Sequence, residues 1–108
     1  MGGRSRGPGR VKRPVVRFTP EAARLVSKLH PETKKLLRSA IERLRANPFL
    51  GDELQEKLVG FSSYKPGRYR ILYKFDEDRN VIDVCYVGHR RDVYDQFLLL
   101  EKLRVERQ

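Results

Sequence analysis

Two short segments of this 108-residue chain bring arginine, lysine, histidine and tyrosine together in patterns suited to chemistry on a phosphate. The first is Tyr69-Arg70-Ile71-Leu72-Tyr73-Lys74-Phe75, and the second is Val87-Gly88-His89-Arg90-Arg91-Asp92-Val93-Tyr94. The planar fork of arginine grips two phosphate oxygens at once, so Arg70, Arg90 and Arg91 are candidates for holding such a group. His89, Arg90 and Arg91 are adjacent and basic, and a bound anion would offset their mutual repulsion together with Asp92. Histidine is the side-chain type that exchanges protons near neutral pH, which makes His89 a candidate acid or base. Spacing alone leaves simpler readings open: a turn histidine, and a half-buried strand with a solvated basic face.

These residues need elements to position them. Tyr69, Ile71, Tyr73 and Phe75 alternate with Arg68, Arg70, Leu72 and Lys74, which is the two-residue period of a strand. Val81 to Val87 reads as its neighbour across a polar turn, Asp76 to Asn80, and Phe61 to Lys65 as a third strand joined through Pro66-Gly67. Links this short make antiparallel hairpins. Gly88 is expected to let the chain leave the last strand sharply. Upstream, Pro14 to Phe18 has the β-branched and aromatic bulk of a first strand. Thr19-Pro20-Glu21 carries the capping, proline and acidic signals of a helix start. Ala22, Leu25, Val26 and Leu29 follow at helical spacing. Pro31 opens a second helix with Leu36, Leu37, Ala40, Ile41 and Leu44 on one stripe, and Asn47-Pro48 stops it. Residues 49–60 form a connection with a helical turn near Glu53 to Leu58. Tyr94, Phe97 and Leu98 mark a closing amphipathic helix. The expected fold class is α+β in the order β-α-α-β-β-β-α. An antiparallel sheet carries the helical hairpin on one face and leaves the other largely open.

Charge says where to look for partners. The net charge is +10, and half of it lies in residues 1–13, where Arg4, Arg6, Arg10, Lys12 and Arg13 stand with no acid. That glycine-rich stretch has little to bury and reads as a disordered basic tail; residues 14–105 read as one domain. A domain that is itself basic favours polyanions. Lys65, Arg68, Lys74 and Arg91 are the candidate RNA contacts around Arg70. Two histidines and one cysteine give no metal-ligand spacing, so neither metal nor cofactor is expected. No apolar run is long enough to span a bilayer. The lone Cys85 fits a reducing compartment, so a cytoplasmic location is expected.

The two opening segments together resemble the RelE/ParE toxin superfamily of type II toxin–antitoxin systems. The likeness covers roughly Pro14 to Leu103. It implies a RelE-like messenger-RNA endonuclease that works in the ribosomal decoding site without a metal. In that reaction the RNA 2′-hydroxyl attacks the neighbouring phosphate and leaves a 2′,3′-cyclic phosphate. By the same resemblance, Arg70 binds the scissile phosphate and Arg90 stabilises the transition state. Tyr94 stacks on a base or assists proton transfer. The expected partners are a cognate acidic antitoxin, the ribosome and mRNA, with no membrane. One departure matters. RelE-type nucleases often carry basic residues on the strand before the tyrosine–arginine pair, whereas this chain has Phe61-Ser62-Ser63-Tyr64 and a single Lys65 at the turn. His89 and Lys65 are the substitutes. The alternatives are a ParE-like inhibitor of DNA gyrase, which cuts no RNA, and a non-catalytic nucleic-acid-binding module.

Overall fold

A computed structural model of the chain describes residues 12–89. The elements run β1 (Val15–Phe18), α1 (Pro20–Ser27), α2 (Pro31–Ala46), β2 (Asp52–Glu53), a 3₁₀ turn (Glu56–Leu58), β3 (Ser62–Tyr64), β4 (Tyr69–Asp76) and β5 (Val81–His89). The strands form one sheet in the order β1-β5-β4-β3-β2. The expected closing helix, with Arg90, Arg91 and Tyr94, lies outside the described residues.

Local chemistry starts both helices where the sequence indicates. The Thr19 hydroxyl accepts from the Ala22 N–H at 3.2 Å, and Pro20 fills the first helical position. In α2, Pro31 takes that place and His30 Nδ1 accepts from the Glu32 N–H at 3.1 Å. The α2 stripe buries Leu37, Ala40 and Leu44 against Ile71, Tyr73, Ile82, Val84 and Val87. This is the main core, on one face of the sheet.

The expected fold changes in four places. The sheet is mixed, because β1 pairs parallel with β5 (Val15 opposite Val81, Phe18 opposite Val84). β1 and β5 are separated by both helices and three strands, and a connection of that length returns the chain to either end of the sheet. The loop after α2 contributes a fifth strand, β2, antiparallel to β3. β5 continues through Gly88 to His89 instead of leaving the sheet at the glycine. The second sheet face is partly covered, since Leu58 packs with Leu72 and Tyr86, joined by Leu25, Leu54 and Phe61. Leu54, Leu58 and Phe61 of the 49–61 connection cover this face, while Phe49, Leu50 and Val59 stay exposed.

One irregularity decides which way the end of the sheet points. Leu72 lies opposite Tyr86, yet Tyr73 lies opposite Val84, so Cys85 is the extra residue of a β-bulge. The Thr19 hydroxyl donates to the Cys85 carbonyl at 3.2 Å, and the Thr19 N–H donates to the Val84 carbonyl at 3.0 Å. The carbonyl of the extra residue is thus satisfied by the cap of α1.

Candidate functional site

The β4–β5 hairpin has a closed end at the turn 77–80 and an open end where Tyr69 faces His89 and Arg70 faces Gly88. Of the candidates among the described residues, Lys65, Arg68, Arg70 and His89 lie at the open end. Arg70 is half-buried, shares its face with Leu72, and has its Nε shielded from solvent. A glycine opposite it presents no side chain to compete for that face. Lys65 and Arg68 are exposed in the link that leads into β4. Among the described residues the ion pairs are Arg13–Glu42, Arg17–Asp83 and Arg45–Glu42; none involves Lys65 or Arg68. Their charge is therefore available to an outside anion.

Two expected members stand apart. Lys74 is four positions along β4 from Arg70, roughly 13 Å at strand rise. It sits opposite Asp83, with its ammonium 4.4 Å from the centre of the Phe61 ring. His89 is at the open end, but its side chain leaves the other face. Its ring lies 4.9 Å from that of Tyr69, centre to centre, tilted by 34°. Tyr69 belongs to the main-core face, where its hydroxyl is 3.5 Å from the Thr33 hydroxyl of α2.

The bulge is the cause of that separation. With strict alternation from Ile82 and Val84, residues 86 and 88 would face the main core and His89 would share a face with Arg70. The extra Cys85 reverses the parity, so Val87 faces the main core and Tyr86 the other cluster. Arg70 and His89 are thus diagonal neighbours on opposite faces. Sequence reasoning missed Tyr69 as the ring partner of His89. The available signal was Val84 and Val87, both apolar but three apart, which breaks the two-residue period.

β3 bears on the missing basic residue. Ser63 lies opposite Leu72, hence on Arg70's face, and is buried with no hydrogen-bond partner for its hydroxyl among the described residues. Among the described residues, no group of histidine, cysteine and acidic side chains is arranged to hold a metal ion. No described helix is long and apolar enough to cross a membrane.

Comparison with known proteins accords with this arrangement. Residues 16–94 match the family described as the ParE toxin of the type II toxin–antitoxin system parDE. Toxin RelG of Mycobacterium tuberculosis is 34% identical over 85 residues, covering 74% of this chain and 94% of the relative. The toxin–antitoxin complex RelBE2 of the same organism matches with a TM-score of 0.67 at 33% identity, over 74% of this chain and 100% of that one. The intact E. coli RelBE complex has a TM-score of 0.61 at 18% identity, over 69% and 94% respectively, a likeness of fold. The family match extends past the open end of the hairpin to Tyr94, and the chain belongs to the RelE/ParE superfamily as a toxin of a type II toxin–antitoxin system.

Proposed function

We propose that the chain is a ribosome-dependent, metal-independent messenger-RNA endonuclease. The observation that carries this reading is Arg70 at the open end of the hairpin, opposite Gly88, with Lys65 and Arg68 beside it outside any ion pair among the described residues. Arg70 holds the scissile phosphate. Arg90, the residue after the last described one, neutralises the charge that builds on the phosphorus oxygens. The RNA 2′-oxygen bonds to phosphorus as the bond to the 5′-oxygen breaks, leaving a 2′,3′-cyclic phosphate and a 5′-hydroxyl. Such a reaction needs a base for the 2′-hydroxyl, an acid for the leaving oxygen and fixed cations for the transition state. Tyr94 stacks on a base or assists the proton, and Arg91 adds to the RNA contacts. Lys65 is the candidate for proton transfer beside Arg70, because the His89 side chain leaves the opposite face of the sheet. The proposed partners are the ribosome with its mRNA and a cognate acidic antitoxin. The solved relatives from M. tuberculosis and E. coli are toxin–antitoxin complexes. On this chain, the groove between α2 and the β1–β5 side has an apolar lining on which Lys34, Arg38 and Arg45 outnumber Glu42, which suits an acidic amphipathic segment.

The test is to add the purified chain to a translating extract and map new mRNA 5′ ends. We expect cleavage by the natural chain. Arg70→Ala should slow it about hundredfold or more, the usual weight of one fixed transition-state donor, with little change in melting temperature. Inhibition of translation with no new ends would overturn the nuclease reading.

A second reading, inhibition of DNA gyrase without RNA cleavage, is favoured by β3. Ser62-Ser63-Tyr64 offers no cation to the face of Arg70, and the family match is to a ParE toxin. A supercoiling assay with purified gyrase decides it, since an unaffected rate at toxic concentrations excludes that target.

A further inference from the structure

We propose that the Tyr69–His89 ring pair is a stacking platform for one unpaired RNA base, with His89 working through its ring face and not as a proton carrier. The proposal deepens the RNA-cleaving reading and rests on it for the class of ligand. Its physical basis is the bulge at Cys85, which puts His89 on the opposite face from Arg70. An acid or base must come within hydrogen-bond reach, about 3 Å, of the oxygen it serves. To reach a phosphate held by Arg70, His89 would have to leave Tyr69 and swing around the strand end.

The pair is suited to a different task. Tyr69 is half-buried against the main core and has its hydroxyl beside Thr33, so its ring is a fixed support. His89 lies over it with ring centres 4.9 Å apart and is itself exposed. A flat ring supported from below and open above is what an unstacked base seeks, and every base has a face to offer. Residues opposite each other in an antiparallel pair are only about 5 Å apart. An RNA strand crossing the open end of the hairpin therefore lays a phosphate against Arg70 on one face and the adjacent base against His89 on the other.

The experiment uses the full chain and a single-stranded RNA oligonucleotide carrying 2-aminopurine, whose fluorescence is quenched when it stacks. We expect quenching by the natural chain and by His89→Phe, with affinities within about twofold of each other. His89→Ala should abolish the quenching and weaken binding about tenfold, the weight of one base-on-ring stack. His89 is exposed, so neither change threatens the fold. The proposal is overturned if His89→Phe is as defective as His89→Ala, or if the natural chain quenches nothing. It is also overturned if His89→Phe removes one limb of the pH–rate profile for cleavage, which marks a proton carrier. The two readings fail separately. Quenching of this pattern without mRNA cleavage leaves the platform and removes the nuclease. Cleavage that His89→Phe destroys leaves the nuclease and removes the platform.

Discussion

The two ends of the β4–β5 hairpin are built from similar material and treat their polar groups in opposite ways. At the turn end, local hydrogen bonds hold the backbone, and the exposed charges Glu77, Asp78 and Arg79 are of both signs. The Asp76 carboxylate accepts from the Arg79 N–H at 3.1 Å, and Asn80 donates from Nδ2 to the Lys12 carbonyl at 3.1 Å. The Asn80 carbonyl accepts from Val15 at 3.0 Å, and Phe49 packs edge-on against Phe75 with ring centres 5.4 Å apart. At the open end, Lys65 and Arg68 stand outside any ion pair among the described residues, and His89 shows an exposed ring. Satisfied groups fix a shape; cations and rings left accessible can take up a ligand. One end therefore holds the hairpin together, and the other is free to bind.

The bulge allows this division, so its removal should have the largest effect. Deleting Cys85 makes β5 alternate strictly, and Tyr86 and Val87 must then exchange faces or the strand must shift along its neighbours. Both side chains are nearly fully buried. Taking two large residues from their cores costs about 4 kcal/mol at 1.5–3 kcal/mol each. Urea unfolding should show that loss. Replacing Cys85 with serine keeps the extra residue and should cost far less. If the deletion is harmless, the bulge does not set the direction of the open end.

The sequence made one half of this contrast readable. The alternation from Tyr69 to Phe75 is unbroken, and the strand places each of those residues on the face that the period assigns. The helices were readable too, because Thr19, Pro20 and Pro31 act locally, within a turn of where they stand. Two features were hidden because their causes are far apart in the chain. The parallel pairing of β1 with β5 depends on how an intervening path closes. The bulge leaves a Cys85 carbonyl that is met by Thr19, which stands 66 positions earlier. The chemistry of Arg70 was therefore visible in the sequence, and its separation from His89 was not.

The turn half has its own anchor, which gives a smaller expected effect. The Tyr73 hydroxyl donates to the Pro48 carbonyl at 2.8 Å and accepts from the Gly51 N–H at 3.0 Å. A Cβ at position 51 would lie 2.7 Å from that oxygen, which is why a glycine stands there. Tyr73→Phe leaves both backbone groups without this partner and should cost about 1–2 kcal/mol. Burial raises the Tyr73 pKa above the ordinary tyrosine value of 10.0, outweighing the Gly51 hydrogen bond that lowers it. The folded chain therefore holds that proton more tightly than the unfolded one. The contribution is complete below about pH 10 and is lost as pH rises through the folded value. Unfolding curves taken across that range should fall less steeply for Tyr73→Phe than for the natural chain, while mRNA cleavage at neutral pH should be unchanged.

The smallest expected effect concerns the boundary between the two halves. Asp83 binds Arg17 at 3.0 and 3.5 Å and lies opposite Lys74 in the sheet, so one carboxylate stands between two cations. The Arg17 side chain is 51% exposed, and an ion pair that wet contributes about 0.5 kcal/mol at most. A double-mutant cycle with Arg17→Ala and Asp83→Ala should return a coupling of that size, falling as salt is added. Binding is the more telling measurement. If the ligand is confined to the open end, Asp83→Ala should change affinity for single-stranded RNA by no more than about twofold, since Lys74 stands roughly 13 Å along the strand from Arg70. A larger gain, with a steeper salt dependence, would mean that Asp83 had been masking Arg17 and Lys74 from the RNA. The binding surface would then reach the middle of the sheet, and Asp83 would set its limit.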